Sequence, residues 1–546
     1  MTGGIVFSDL WRRVHDLVAR MRGDRRGSMM VWVGVSIVPL LLSVGLAVDI
    51  SRGYLLRSKL NTALDAAALA GGSRINDPDR DVIVQQYFDA NFPPGYLGAT
   101  VGELNIQEIT APGEPDRLAV SVEASLPTLI MRLAGASTFS VDSSAEITVS
   151  SKSVEVGLAL DITGSMAGQR ITDLRAAAKE LVSIVVQNDQ DPFYSKVAIA
   201  PYSNAVNVGP YADEVRGVIP PPLTIVNASK TNPVVVTTGA PHNFVNNQLV
   251  YIAAVNGMTQ LNKKVYTVDN PTSTTFRLKG VDGRFYNTYT GSGVVGAVCD
   301  QPGCTFQRFQ SVTGATKVHG ISTCVSEREG DERYTNAAPS ASTTKVGMVY
   351  PNTPLEAPQN WGANPCPTNI IMPLSSDRDA INAAIDDLDV SGSTAGQIGL
   401  AWAWYLVSEP FGYLFPAESR PGTPNANELL KVVVLMTDGA FNSVYCRGVL
   451  AKNSTSGSGS SRDHINCDSP NGDSFAQADA LCDAMKQNGI IIYTVGLGVS
   501  NTEEARNLIN DCATDPSHVY LPDTGGELRQ AFREIAISIS RLRLSR

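Results

Sequence analysis

The hydrophobic positions change their period along this chain, and each change predicts a different element. First comes an unbroken apolar run, Met29 to Val48 (MMVWVGVSIVPLLLSVGLAV), that carries no charge. At 1.5 Å per residue, about 20 residues of helix span about 30 Å, the thickness of a bilayer's hydrocarbon core. Pro39 lies mid-span, where a membrane helix tolerates it with a kink. From Asp49 to Ala70 (DISRGYLLRSKLNTALDAAALA) the pattern becomes amphipathic: Leu55, Leu56, Leu60 and Leu64 keep a helical spacing, and Gly71 and Gly72 offer a stop. Beyond Ile75 the period drops to two. LAVSVEASLPTLIM and TFSVDSSAEITVSS alternate apolar and polar residues, predicting a small sheet near the stem helix.

Farther on, apolar strands alternate with helical patterns. Val154 to Leu160 (VEVGLAL) is a short buried-strand run ending at Asp161, followed by a polar loop and the amphipathic ITDLRAAAKELVSIVV. KVVVLMTDGAFN ends another apolar strand at Thr437-Asp438-Gly439, and IIIYTVGLGVS, from Ile490, is a third. Strands alternating with helices predict an α/β class with a doubly wound sheet. Between Leu223 and Ala297 the chain turns β-rich, with Asn, Gly and Asp at the turns. That predicts a compact barrel or sandwich inserted into the α/β part.

Composition adds compartment and class. The 546 residues exceed one ordinary core, and 43% apolar with 18% charged residues describes a folded chain. A net charge of −10 argues against nucleic acid as a partner. The exception is the leader, where Arg12, Arg13, Arg20, Arg22, Arg25 and Arg26 cluster before the apolar run. That asymmetry predicts a single pass with a cytoplasmic N-terminus and an extracytoplasmic bulk. The competing reading is a cleaved signal peptide; the long basic leader and the lack of a small-x-small site after the apolar run disfavour it. All eight cysteines lie between Cys299 and Cys512. They read as disulfides formed in an oxidising compartment, with unpaired buried thiols as the alternative. No CxxC pair is present, which leaves structural zinc without ligands.

The candidate chemistry sits where the first α/β strand ends. Asp161, Thr163 and Ser165 alternate, so three oxygens can converge on one point at the carboxyl edge of a sheet, where open α/β folds bind ligands. Hard divalent cations take such oxygens. Thr394 follows in the small-residue loop of VSGSTAGQIGLAWAWYL, and Asp438 ends a later strand. No GxSxG, HExxH or GxxxxGK[ST] string is present, and His15, His242, His319, His464 and His518 are scattered, so the expectation is no enzyme.

Two resemblances organise these pieces. RRGSMMVWVGVSIVPLLLSVGLAVDISRGYLLRSKLNTALDAAALAGG resembles the N-terminus of TadE/TadG-type Flp (Tad) pilus-assembly proteins. Pilins of this shape carry a Glu five residues after the processing glycine. Counting from Gly27 that position is Trp32, which argues against polymerisation as a pilin subunit. The strand-and-loop set resembles the von Willebrand factor A (vWA) fold and its metal-ion-dependent adhesion site (MIDAS). KVAIAPYSNAVNVG and IIMPLSSDRDAINAAIDDLDVSGSTAGQIGLAWAWYLVSEPFGYLFP resemble the TadG branch of that fold. The resemblance implies Thr163, Ser165 and Thr394 as direct ligands of Mg2+ (or Mn2+ or Ca2+), with Asp161 and Asp438 acting through water. Thr163 stands where Ser is usual and keeps the hydroxyl. It also implies a Cys482–Cys512 bridge; Cys446 and Cys467, which bracket a long loop beside Asp438, are a second candidate pair. The inserted module resembles a small β module of phage tail proteins.

The expected organisation is therefore a basic cytoplasmic leader over 1–28, a transmembrane helix over 29–48, an extended stem helix over 49–72 and a β-rich stem domain over 73–152. A vWA domain follows in two parts, 153–216 and 346–546, split by an insertion over 217–345 whose β module covers about 223–297. The fold class expected is α/β: a transmembrane pilin-like helix, a small β-rich stem region and a doubly wound, Rossmann-like vWA domain with an inserted all-β module. The function implied is a bacterial inner-membrane pilus-assembly factor, periplasmic in its bulk. It would bind pilus-assembly or secretion proteins that lend an acidic residue to the metal. The alternative is a surface-exposed adhesin with an external ligand.

Overall fold

The computed structural model describes residues 28–72, 79–109, 117–148, 152–188, 190–191, 193–352, 364–425, 428–499 and 503–544. The arginine-rich leader and Gly27 lie outside the described residues. The chain divides into two compact units, Met1–Ser150 and Ser151–Arg546.

In the first unit a single helix, α1 (Ser28–Gly72), runs through Pro39 without interruption. Its first part is long and apolar enough to cross a membrane. Burial begins at Gly45 and Asp49 and continues through Leu56, Leu60, Ala63, Leu64 and Ala67, a helical stripe. A second helix, α2 (Arg80–Asn91), is followed by strands β1 (Thr100–Val101), β2 (Asn105–Ile109), β3 (Arg117–Pro127) and β4 (Thr138–Thr148). Strand β3 pairs antiparallel with all three others. Its alternate residues Leu118, Val120, Val122, Ala124 and Leu126 face the leucines of α1 in one core. Burying each such side chain contributes about 1.5–3 kcal/mol. The period of two is thus the imprint of a sheet with one covered face.

The second unit opens with β5 (Ser153–Asp161), α3 (Gln169–Val185), β6 (Ser195–Tyr202), β7 (Val206–Asn207) and the short α4 (Ala212–Arg216). Six strands then form a barrel: β8 (Leu223–Ala228), β9 (Val235–Thr238), β10 (Leu249–Ala253), β11 (Lys264–Asp269), β12 (Thr275–Leu278) and β13 (Val294–Cys299). Pairing of β10 with β13 closes the circuit, and β14 (Phe306–Gln310) and β15 (Thr316–Gly320) extend from it. The strands β16 (Cys324–Ser326) and β17 (Gly347–Met348) join β7 in a three-stranded sheet. The chain continues through β18 (Met372–Ser375), α5 (Arg378–Asp386), α6 (Gly396–Leu406), β19 (Leu429–Thr437), β20 (Tyr445–Cys446) and β21 (Val449–Leu450). It ends with α7 (Ser474–Gln487), β22 (Ile491–Gly496), α8 (Glu503–Cys512), β23 (Val519–Tyr520) and α9 (Gly525–Leu544).

The sheet that positions the candidate site has the order β18-β6-β5-β19-β22-β23. Its pairings are parallel except for the antiparallel edge strand β18. Strand β5 is buried throughout. Its even positions Val154, Val156, Leu158 and Leu160 share a core with α3 and α9, whereas Ala159 lies in the core that contains α6 and α7. Gly157 permits the approach of α6, since a Cβ there would collide with the Ala403 carbonyl oxygen.

At the amino end of this sheet a buried ion pair bridges two strands. Glu155 and Lys431 are register partners, with Nζ donating to Oε2 at 2.6 Å. The Tyr194 hydroxyl (2.8 Å) and the Gly422 amide (2.7 Å) donate to Oε1, and Lys431 also donates to the Val407 carbonyl (2.7 Å). Four disulfides link Cys299 to Cys304, Cys324 to Cys366, Cys446 to Cys467 and Cys482 to Cys512.

The expected class, a doubly wound, Rossmann-like vWA domain with a transmembrane pilin-like helix, a stem region and an inserted all-β module, is corrected here. The chain combines an N-terminal apolar helix with a body rich in strands, most of which lie outside the helix-flanked sheet. The largest sheet is the one built around the closed six-strand barrel, and the helix-flanked sheet is mixed. The cause of the error is physical. Apolar runs such as 154–160 and 490–495 report burial on both faces, which many sheet contexts impose, so they locate strands without naming a fold.

Candidate functional site

The site is built where β5 and β19 end side by side. After Asp161 the chain makes a short turn, Gly164–Met166, and enters α3 through Gly168, whose φ of 81° suits glycine. This turn brings the Asp161, Thr163 and Ser165 side chains into one hydrogen-bonded line. Asp161 Oδ1 accepts from the Thr163 amide (2.9 Å) and hydroxyl (2.6 Å). The Thr163 and Ser165 hydroxyls lie 2.9 Å apart, and Ser165 donates to Asp438 Oδ1 at 2.7 Å. Thr437 Oγ1 donates to the other oxygen of Asp161 at 3.0 Å. Four of the five expected residues are therefore connected through side chains.

Thr394 joins through its backbone. The loop Ser391–Ala395 is stitched to the end of β5 by Ser391 N to Ile162 O (2.9 Å) and Gly164 N to Gly392 O (3.0 Å). Ala395 N donates to Ser203 O beyond β6 (2.8 Å). The Thr394 amide donates to Asn442 Oδ1 (2.9 Å), and its carbonyl accepts from the amides of Asn442 and Ser443. Three loops from distant parts of the chain thus share one sheet edge.

Charge is poorly balanced at this edge. Asp161 is fully buried, and the Asp438 side chain is nearly so. Burial, with the neighbouring charge of Asp438, pushes the Asp161 carboxyl up to about 6 against the opposing hydrogen bonds of Thr163 and Thr437. The cation at hand is Arg170, which donates to Asp438 Oδ2 at 2.6 Å from a side chain that is 46% exposed. The Tyr202 hydroxyl, held by the Met436 carbonyl at 2.9 Å, approaches Asp161 at 3.4 Å; burial, with the Asp161 charge, pushes its pKa well above the ordinary range and keeps the phenol protonated.

Sequence reasoning missed Arg170, Tyr202, Thr437 and Asn442. Thr437 adjoins Asp438 and was within reach of it. Arg170 sits in the first turn of α3, where a basic residue reads as a solvated face. Among the described residues no three His, Cys, Asp or Glu side chains group together as a metal site. The candidate set is instead two carboxylates with hydroxyls, all oxygen, which fits a hard cation such as Mg2+. The described histidines lie elsewhere: His242 Nδ1 accepts from the Phe244 amide, His319 pairs with the Tyr350 carbonyl, His464 with the Ser458 carbonyl, and His518 Nδ1 lies 3.3 Å from the Asp515 carboxylate. The expected bridge candidates Cys446, Cys467, Cys482 and Cys512 are all bonded, as two pairs.

With this geometry in hand, comparison with known proteins adds two partial matches. Residues 27–74 match the Flp pilus-assembly TadE/G-like family. This chain carries a Tad pilus domain at its N-terminus. Residues 229–298, which cover most of the inserted β module, match the ubiquitin-activating enzyme E1 FCCH domain family. No curated protein matches the chain. Among solved structures, the pilus adhesin SpaC from Lactobacillus rhamnosus GG aligns at TM-score 0.30 and 13% identity, over 80% of this chain and 34% of SpaC. The chain thus spans about a third of that protein. The vWF domain of the type V pili tip protein Mfa5 from Porphyromonas gingivalis gives TM-score 0.32 and 11% identity, over 72% of this chain and 97% of that one. The tip pilin GBS104 from Group B Streptococcus agalactiae gives 0.31 and 10%, over 71% and 100%. At such scores these likenesses give the chain no fold name.

Proposed function

We propose that this chain is a membrane-anchored pilus-assembly factor that holds a protein partner at the sheet edge formed by Asp161, Thr163, Ser165, Thr394 and Asp438, through a divalent cation such as Mg2+. The observation that carries this reading is the continuous line of oxygens from Asp161 through Thr163 and Ser165 to Asp438, which comes to the surface at the exposed Ser165. The Tad domain at 27–74 supports the pilus assignment, and the apolar start of α1 supports the anchor. The orientation proposed puts the N-terminus in the cytoplasm and the bulk outside it.

A bound cation would neutralise the two carboxylates and offer a position for an acidic side chain of the partner. The chain's own residues prepare this. Thr437 and the Thr163 amide hold Asp161 in place, the loop Ser391–Ala395 braces the turn and carries Thr394, and Ser165 presents its hydroxyl. Arg170 holds Asp438 and must release it in part when a cation takes that charge.

The test is retention of envelope proteins by the full chain in detergent, with Mg2+ and with EDTA, against Ser165→Ala and Asp438→Asn. Pilus-assembly components retained by the wild type in Mg2+, and lost with EDTA or in both variants, are the expected result. Equal retention in all samples overturns the metal contact. Protease cleavage on intact cells would favour an outward-facing adhesin over an assembly factor.

A further inference from the structure

The turn between β3 and β4 occupies an unusual place. It runs from Leu129 through a tight helical turn, Met131–Ala134, to Gly135. Asp49, the first charged residue after the apolar run of α1, accepts the backbone amides of Leu129 (2.9 Å), Ile130 (3.2 Å) and Met131 (3.0 Å). Arg52 lies 3.6 Å from the same carboxylate. One helical turn before Asp49, a Cβ at Gly45 would fall on the Ile130 side chain. Gly45 belongs to the apolar run itself, so this turn reaches down beside residues read as membrane-embedded.

Its side chains and backbone suit that position. Leu133 is 81% exposed and Leu129 is 51% exposed. On the neighbouring face of α1, Ile50 and Tyr54 are also exposed, and Phe139 covers Gly53. Tyrosine at this level matches the aromatic belt of a membrane interface. Most of the turn's amides are also paired. Besides the three amides held by Asp49, Thr128 N bonds to Ser137 O, Leu133 N to Ile130 O, Gly135 N to Arg132 O and Ala136 N to Met131 O. The Thr128 hydroxyl bonds to the Ala136 carbonyl at 2.6 Å. Backbone near hydrocarbon is tolerated only when its polar groups are paired in this way. Farther along α1 and across the sheet, the exposed residues include Arg57, Asp65, Glu108, Asp142 and Glu146, which belong in water.

We infer that the turn Leu129–Ala134 is a membrane-docking element, which sets Leu129 and Leu133 into the lipid interface where α1 leaves the bilayer. This rests on the reading of α1 as a membrane span. The occupant is the lipid of that same bilayer, because the turn is packed against the span at Gly45 and is level with its end. The stem sheet would then stand on the membrane at two points, the helix and the turn. Asp49 links them.

The experiment places the photo-crosslinking residue p-benzoylphenylalanine at position 133, 32 or 82 of the full chain. Each variant is reconstituted in phosphatidylethanolamine–phosphatidylglycerol bilayers, irradiated and analysed for lipid adducts. Trp32 lies in the apolar run, and Val82 is an exposed apolar residue in the turn of α2 that packs near Gly71. Gly71 lies on the order of 40 Å along α1 from Gly45. Position 133 should form lipid adducts at a level comparable to position 32 and on the order of tenfold above position 82. Adducts at 32 with none above the position-82 level at 133, or crosslinks from 133 to a second copy of the chain, overturn the docking turn and leave the membrane span intact. No lipid adduct at position 32 overturns the span, and the inference with it.

Discussion

Glu155 and Asp161 lie on the same strand, both fully buried, and their surroundings differ in one respect. Glu155 faces a buried ammonium, Lys431, and every other contact of its carboxylate is a donor supplied from within the fold. Asp161 faces hydroxyls and a second carboxylate, and the nearest cation is held by Asp438 at the surface. The amino end of the sheet is electrostatically complete and the carboxyl end is not. A buried acid with its counter-ion inside the fold is fully compensated by the fold; one whose neutralisation is left to the surface is the one on which the proposed cation contact rests. Glu327 adds a third environment, with neutral donors from Gln397 (3.0 Å), the Tyr445 amide (3.3 Å) and its own amide, and burial pushes its carboxyl up to about 7.

The strongest way to break this comparison is Lys431→Met. It strands the Glu155 carboxylate, and the expected cost is about 3–5 kcal/mol in denaturant unfolding of the detergent-solubilised chain. The double variant Glu155→Leu/Lys431→Met should recover most of that loss. If the single variant costs less than the double, the two ends do not differ as described.

Next in size is the effect of cation at the other end. Mg2+ at a hundredfold over its dissociation constant should stabilise the wild type by about 2.7 kcal/mol relative to EDTA. That increment should vanish in Asp438→Asn. An unchanged increment in Asp438→Asn would move the cation away from this edge.

The smallest effect is a slope with pH. The Glu327 carboxyl is raised in the folded state from an ordinary 4.5 to about 7, so the folded chain holds a proton that the unfolded chain releases. Its contribution is therefore most favourable below about 4.5 and is lost as pH rises toward 7. Glu327→Gln should flatten that part of a melting-temperature profile while leaving the Mg2+ increment in place. A profile identical to wild type would show that Glu327 is solvated as freely as in the unfolded chain.

Much of the site was legible in the sequence because its pieces are short and local. Asp161, Thr163 and Ser165 sit within five residues, and the runs before Asp161 and Asp438 announce buried strands by composition. What was hidden depends on register and on helix phase. Glu155 and Lys431 each interrupt an apolar run, a signal in itself, yet only the parallel pairing of β5 with β19 makes them partners. Arg170 reaches Asp438 across 268 positions of sequence. The fold class failed for a related reason. Strand patterns give the number of strands and their burial, and over 223–297 a barrel or sandwich, but they do not say which sheet takes each strand: closure of the barrel by β10 with β13 and the antiparallel edge strand β18 come from long-range pairings that no local pattern encodes.

That closure has a consequence for how the protein carries its insertion. A sheet with open sides offers unpaired amides and carbonyls to any extended chain nearby, which invites strand addition and self-association. The ring β10-β11-β12-β9-β8-β13 spends those groups on itself. A partner meeting the six-strand ring, apart from the β14–β15 extension that ends the sheet, therefore finds side chains and loop tips, such as the exposed Phe285 and Val245, in place of a backbone edge to extend.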